Sequence, residues 1–283
     1  MDLEQILAKV HEKVPPEPGV RFMIDKCDEA LGLFDSKIGG TPYFPKDMEY
    51  PRGRKHSFKD QPLILLAQLN FEQLPAVPDF PSKGILQFFI AGDDLYGMSS
   101  GGIDELAEQD NFRVIYHENI MTDETKLLSP DEIPQYTGDD ELYLPFNGEF
   151  RLIPCEIEQM PANYCDHRFC RAFVECYNEY ADEPVEDIWE IDDETSDELY
   201  DKTPEHLPAF CGGYPVFAQE DPRSGSEDLA DCDVLLFEMD SHYDGEKGID
   251  IMWGDSGTGS FMIPRDRLKA LDFSRVVYNY DCG

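Results

Sequence analysis

The frame Gly-Gly-x-Pro-x-Phe occurs twice, as Gly39-Gly40-Thr41-Pro42-Tyr43-Phe44 and as Gly212-Gly213-Tyr214-Pro215-Val216-Phe217. Three further landmarks follow each copy in the same order and at nearly constant spacing. Leu65 to Asn70, "LLAQLN", aligns with Leu235 to Asp240, "LLFEMD". Gly84 to Ile90, "GILQFFI", corresponds more loosely to Gly259 to Ile263, "GSFMI", and "DNFRVIY" from Asp110 echoes "DFSRVVY" from Asp272. Ordered self-similarity of this kind is the mark of a repeated structural unit.

Each unit reads alike. The glycine pair supplies unusual backbone angles and the proline prevents a helix. The apolar runs that follow are of strand length, first continuous and then alternating, and the closing segments are rich in β-branched and aromatic residues. The expected fold is mainly β with a few helices, an internally duplicated architecture of two β units that pack as one compact domain. Its expected parts are an N-terminal helical segment over 1–35, a first β unit over 36–119, an insertion over 120–208 and a second β unit over 209–283.

Helical spacing appears in two places. Leu3, Ile6, Leu7, Val10 and Val14 predict an amphipathic opening helix, and Phe169, Ala172, Phe173, Cys176, Tyr177 and Tyr180 predict another in the insertion. Between 182 and 201 there are eleven acidic residues, a density that self-repels and marks a solvated linker or helix surface.

Charge constrains the partners. Sixty acids against 23 lysines and arginines give a net charge of −37, a field that repels nucleic acid and anionic lipid and favours cationic partners, a salt-rich setting or, by default, simply solubility. No run is long and apolar enough to span a bilayer, and the charged N-terminus does not read as an export signal. A cytoplasmic protein is therefore expected, with its eight cysteines as thiols.

The stretch Trp253 to Ser260, "WGDSGTGS", contains the Gly-Asp-Ser-Gly string of serine-protease nucleophiles. A nucleophilic Ser256 needs a histidine and an orienting carboxylate. His11, His56, His117, His167, His206 and His242 stand in no such context, and no lysine follows to make a phosphate loop. The stretch reads as a turn entering a strand. Cys165, His167, Cys170 and Cys176 invite zinc, but their spacing is irregular and Cys176 falls on the apolar stripe, so buried thiols are expected and no metal. The acidic run holds no calcium loop. No cofactor is expected, and no catalytic residue is assigned.

Several polar residues sit within apolar strands or turns: Gln68, Gln87, Gln219, Glu238, Asp240 and Asp255, with Trp253 nearby. Most buried amides satisfy neighbouring backbone groups. The alternative is a cleft between the units lined by Gln68, Gln219, Glu238, Trp253 and Asp255, in which Asp255 and Glu238 would supply an acid or base and Trp253 a stacking surface.

The segments "SKIGGTPYFP", "PLILLAQLNFEQLP", "FPSKGILQFFI", "GYPVFAQEDPR", "MWGDSGTGSFMI" and "DFSRVVYNYDC" together resemble the YwqG-like family of bacterial domains, from about Ser36 to Cys282. The resemblance implies a soluble cytoplasmic protein with a β-rich duplicated fold and carries no accepted catalytic residues. Two functions are weighed: a non-catalytic binding protein whose acidic surface neutralises a basic partner such as a nuclease-type toxin, and a small-ligand binder or enzyme using the inter-unit cleft.

Overall fold

The computed structural model describes residues 3–202 and 207–283; His206 lies outside them. The chain opens with helix α1 (Leu3–Lys13), whose Leu3, Ile6 and Val10 are buried, as their spacing requires. Ten strands form one antiparallel sheet: β1 (Glu17–Asp25), β2 (Lys37–Ile38), β3 (Ile64–Asn70), β4 (Ile85–Ile90), β5 (Phe112–His117), β6 (Phe150–Met160), β7 (Ala209–Gly212), β8 (Val234–Asp240), β11 (Thr258–Ile263) and β12 (Val277–Asp281). A separate hairpin pairs β9 (His242–Asp244) with β10 (Ile249–Ile251). Helices α2 (His167–Asn178) and α3 (Asp193–Asp201) lie between β6 and β7, and α4 (Arg265–Lys269) follows β11.

The order across the sheet is β12-β11-β8-β7-β1-β6-β2-β3-β4-β5. It reads alike outward from the central β1–β6 pair. The central strands are crossed, however: β1 pairs with β7 and β6 with β2, so each half is completed by a strand lying far away in sequence. Separating the halves would break both ladders, and they form one body.

The sheet curls until it is nearly closed into a barrel. Phe112 on the last strand of one half meets Tyr278 on the last strand of the other, with ring centroids 5.2 Å apart. The interior is packed with rings from both halves, Phe88 on Phe237 and Phe261 on Tyr278 among them. Burial of such aromatic and aliphatic side chains is the main stabilising term.

Local geometry repeats in detail. Gly39, Gly40, Gly212 and Gly213 all have positive φ, between +64° and +71°. A side chain on Gly39 would strike the Gly148 carbonyl, and one on Gly212 the Pro18 carbonyl, so both pairs must be glycine. Leu66 makes a bulge in β3 between the pairs Leu65–Phe89 and Ala67–Phe88. Leu236 makes one at the matching place in β8, between Leu235–Met262 and Phe237–Phe261. The register sets Gln87 opposite Gln68 and Ser260 opposite Glu238, and it sets Ile115 against Gln87 and Asn279 against Ser260. On this register Ile115 matches Asn279 and His117 matches Asp281. That pairing slips by two residues from the alignment of "DNFRVIY" with "DFSRVVY" and leaves every side chain on the same face.

The helices form a second layer. Phe169, Phe173 and Cys176 of α2 pack with Leu3, Ile6 and Val10 of α1, Leu199 of α3, Ile188 and Tyr214. Part of the acidic run is thus helical: α3 is capped by Asp192, whose carboxylate accepts the Thr195 amide, and its acids face outward.

"WGDSGTGS" is a turn. Gly257 donates its amide to the Trp253 carbonyl at 2.8 Å, and β11 begins at Thr258. Gly254 and Ser256 both take positive φ, and Ser256 is exposed at the tip.

Candidate functional site

Two aspartates, each capping a helical turn, meet beside a cavity that Asp221 lines. Asp166 caps α2, and its Oδ1 accepts the Arg168 amide at 2.8 Å. Asp221 caps the turn at 222–225 and accepts the Arg223 amide at 2.9 Å. Capping aspartates satisfy amides that a helix start leaves free. Both carboxylates then share one guanidinium: Arg223 Nη2 lies 2.8 Å from Asp166 Oδ2 and 2.7 Å from Asp221 Oδ2. Arg168 adds a second contact to Asp166 at 2.7 Å. Arg223 is 2% exposed and donates its remaining arm to the Cys232 carbonyl.

Burial alone would raise the Asp166 and Asp221 carboxyls. For Asp166 the bond from Arg168 and the charges of both arginines outweigh burial and hold the group below its ordinary value. For Asp221 the bonds from His167 and Arg223 do the same. Asp221 Oδ2 also takes the His167 amide at 3.0 Å and lies 2.9 Å from His167 Nδ1, and His167 lines the cavity.

Asp166, His167 and Asp221 bring their donor atoms within 4.8 Å of one another, a spacing that could hold a metal ion. Arg223 already supplies the positive charge between the two carboxylates, so the arrangement is that of an ion-pair network, and an ion added there would face a guanidinium.

The cavity beside this network has a volume of about 370 Å³. Its lining includes Cys165, Cys170 and Gln219, the carboxylates of Glu175, Glu186, Asp187 and Glu220, the Trp189 indole and one guanidinium, that of Arg171. Burial pushes the Cys165 thiol up to about 11 and the Cys170 thiol up to about 12. Both are thiols at neutral pH, which makes them poor nucleophiles. Cys176 faces the other side of α2, within the helical core. Trp189 is 63% exposed and stands perpendicular to Tyr164 with ring centroids 6.2 Å apart; Tyr200, 67% exposed, lies 6.1 Å from the same ring.

The five residues of the expected cleft divide. Gln219 lines this cavity, its side chain donating to the Cys282 carbonyl. Glu238 lies nearby on the outer face of the sheet, 1% exposed, with both oxygens 3.1 Å from the Val216 amide. Gln68 is on the other half, accepting the Tyr43 amide and donating to the carbonyls of Leu33 and Asp35. Trp253 is on the inner face, between Tyr96 and Tyr280 and over Gly259, whereas Ser260 beside Glu238 points outward. Neighbouring residues of a strand face opposite ways, which is why Trp253 and Glu238 cannot line one cleft. Asp255 is exposed in its turn.

Residue-type reasoning passed over Asp166, Asp221 and Arg223. One signal was present: Asp166-His167-Arg168 and Asp221-Pro222-Arg223 share the pattern Asp-x-Arg, each at a helical start.

The model of a domain of unknown function, DUF1963, matches residues 36–282. The chain belongs to the DUF1963 family. This membership is consistent with the YwqG-like resemblance and spans both halves of the sheet and the cavity. No curated protein matches the chain.

Proposed function

We propose that this DUF1963 protein is a binding protein that captures a basic protein, taking a lysine or arginine side chain of its partner into the cavity beside Trp189. The observation that carries the reading is the convergence of Trp189 and Tyr164 with Glu175, Glu186, Asp187 and Glu220 around one concavity, where the carboxylates outnumber the single guanidinium of Arg171. A cation over an indole face gains about 0.5–2 kcal/mol, and carboxylates around it add charge complementarity. The net charge of −37 steers a basic partner toward the surface from a distance. A nuclease-type toxin has the required charge. The enzyme reading has less support, since the thiols in the cavity are protonated and the acid, base and stacking residues it named are apart.

Calorimetric titration with a nona-arginine peptide tests the proposal. Glu186→Gln/Asp187→Asn should weaken binding at least tenfold, whereas Glu246→Gln/Asp250→Asn, on and beside the β9–β10 hairpin, should leave it within twofold. Equal weakening by both pairs would mean diffuse attraction to an acidic surface and would defeat the site.

A further inference from the structure

In the first half of the sheet a polar row crosses the outer face of β3, β4 and β5 with its bonds made. Gln68 Oε1 accepts the Tyr43 amide at 2.9 Å and Gln87 Nε2 at 2.7 Å. Gln87 Nε2 also reaches the Tyr43 carbonyl at 2.7 Å, and Gln87 Oε1 lies 2.8 Å from His117 Nε2. The Gln87 amide is the hub of that row.

The register gives each strand member a counterpart across β8, β11 and β12, Glu238 for Gln68, Ser260 for Gln87 and Asp281 for His117, and the repeated Gly-Gly-x-Pro-x-Phe frame matches Val216 to Tyr43. Glu238 takes the Val216 amide as Gln68 takes that of Tyr43. Then the likeness stops. Serine replaces glutamine at the hub and is shorter by the whole amide group, at a position 0% exposed. Ser260 Oγ, Asp281 Oδ1 and Asn279 Nδ2 have no hydrogen-bond partner among the described residues, and all three residues are more than nine-tenths buried.

Charge sharpens the contrast. Glu238 brings a carboxyl where the first half has an amide, and Asp281 brings another where it has an imidazole. Neither forms an ion pair among the described residues, since Arg223, the cation whose field reaches Glu238, is taken by Asp166 and Asp221. Burial pushes both acids up, Glu238 strongly. Two buried acids without a counter-charge cost several kcal/mol if ionised, so the place calls for a cation or a proton. Hydroxyl, carboxylate and amide oxygens are the donors of hard cations, and Asn279 offers its oxygen once its amide is turned over.

We propose that the second half binds one hard divalent cation where the Gln87 amide sits in the first, with Glu238, Ser260 and Asp281 as its oxygen ligands. The site is separate from the proposed cation seat at Trp189 but adjoins that cavity through Gln219, whose backbone amide donates to Asp281 Oδ2 at 2.8 Å and whose side chain lines the cavity.

The protein is stripped with a chelator, returned to 150 mM potassium chloride to suppress diffuse binding, and titrated with calcium, magnesium and manganese by calorimetry and thermal melting. One site of 1:1 stoichiometry and a rise in Tm are expected for at least one ion. Glu238→Gln restores the residue type that Gln68 already shows to fit; it should fold, and should lose that affinity at least tenfold, as should Ser260→Ala. A Tm unmoved by all three ions, or ion binding that Glu238→Gln and Ser260→Ala leave intact, would overturn the proposal and leave a protonated Glu238 among buried waters.

Discussion

His117 Nε2 lies 2.8 Å from Gln87 Oε1, inside a wall formed by Tyr43 and Phe44. An amide oxygen can only accept, so His117 donates from Nε2. Burial lowers its pKa from 6.5 to about 4. The unfolded chain therefore takes up a proton near pH 6.5 while the folded one resists until about pH 4, and stability falls as pH drops through that window. The loss should approach about 3 kcal/mol. Urea unfolding of wild type and His117→Gln at pH 7 and pH 4 checks it: the variant should lose less over the same interval.

Arg223 should be the most costly single side chain to remove. Arg223→Met leaves Asp221 buried without a guanidinium and Asp166 with Arg168 alone, at about 3–5 kcal/mol. Arg223→Lys should recover little, because an ammonium cannot span both carboxylates and the Cys232 carbonyl as the guanidinium does. Denaturant midpoints of the two variants decide this.

The turn at 253–257 makes a matched pair of expectations. Ser256 is exposed and Ser256→Ala should change stability by no more than about 0.5 kcal/mol. Gly257→Ala would place a Cβ 1.9 Å from the Asp281 carbonyl and should cost about 1–3 kcal/mol through displaced backbone. Equal tolerance of both would contradict the reading of this stretch as a turn fixed by close packing.

Much of the sheet was legible because its signals are local. The glycine pairs announce left-handed turns, and the apolar runs at 64–70 and 234–240 have the length of strands and are short for helices. The crossed central strands were not legible, because β1 and β6 find partners whose choice depends on the closed sheet. The cavity was only half visible. Gln219 and the cysteines drew notice as residue types, but Asp166 and Arg223 meet across 57 positions and nothing in either neighbourhood announces the other. Trp253 and Glu238 were grouped as lining of one cleft between the units, and strand alternation sends them to opposite faces.

We also propose that the halves descend from one copied unit. An experimental structure should let 36–117 overlay 209–281 with Leu66 on Leu236 and Gln68 on Glu238; a best overlay in some other register would contradict the copying.

Trp189 provides the most direct test of the binding reading, since the only other tryptophan, Trp253, is fully buried. Its fluorescence is followed while nona-arginine is added at 50 mM and at 500 mM salt, with acrylamide as quencher. A saturable change in emission with protection of the indole from acrylamide, lost at high salt, is expected. Binding seen by calorimetry that leaves Trp189 emission and quenching untouched would contradict the account, because the cation would then be seated elsewhere.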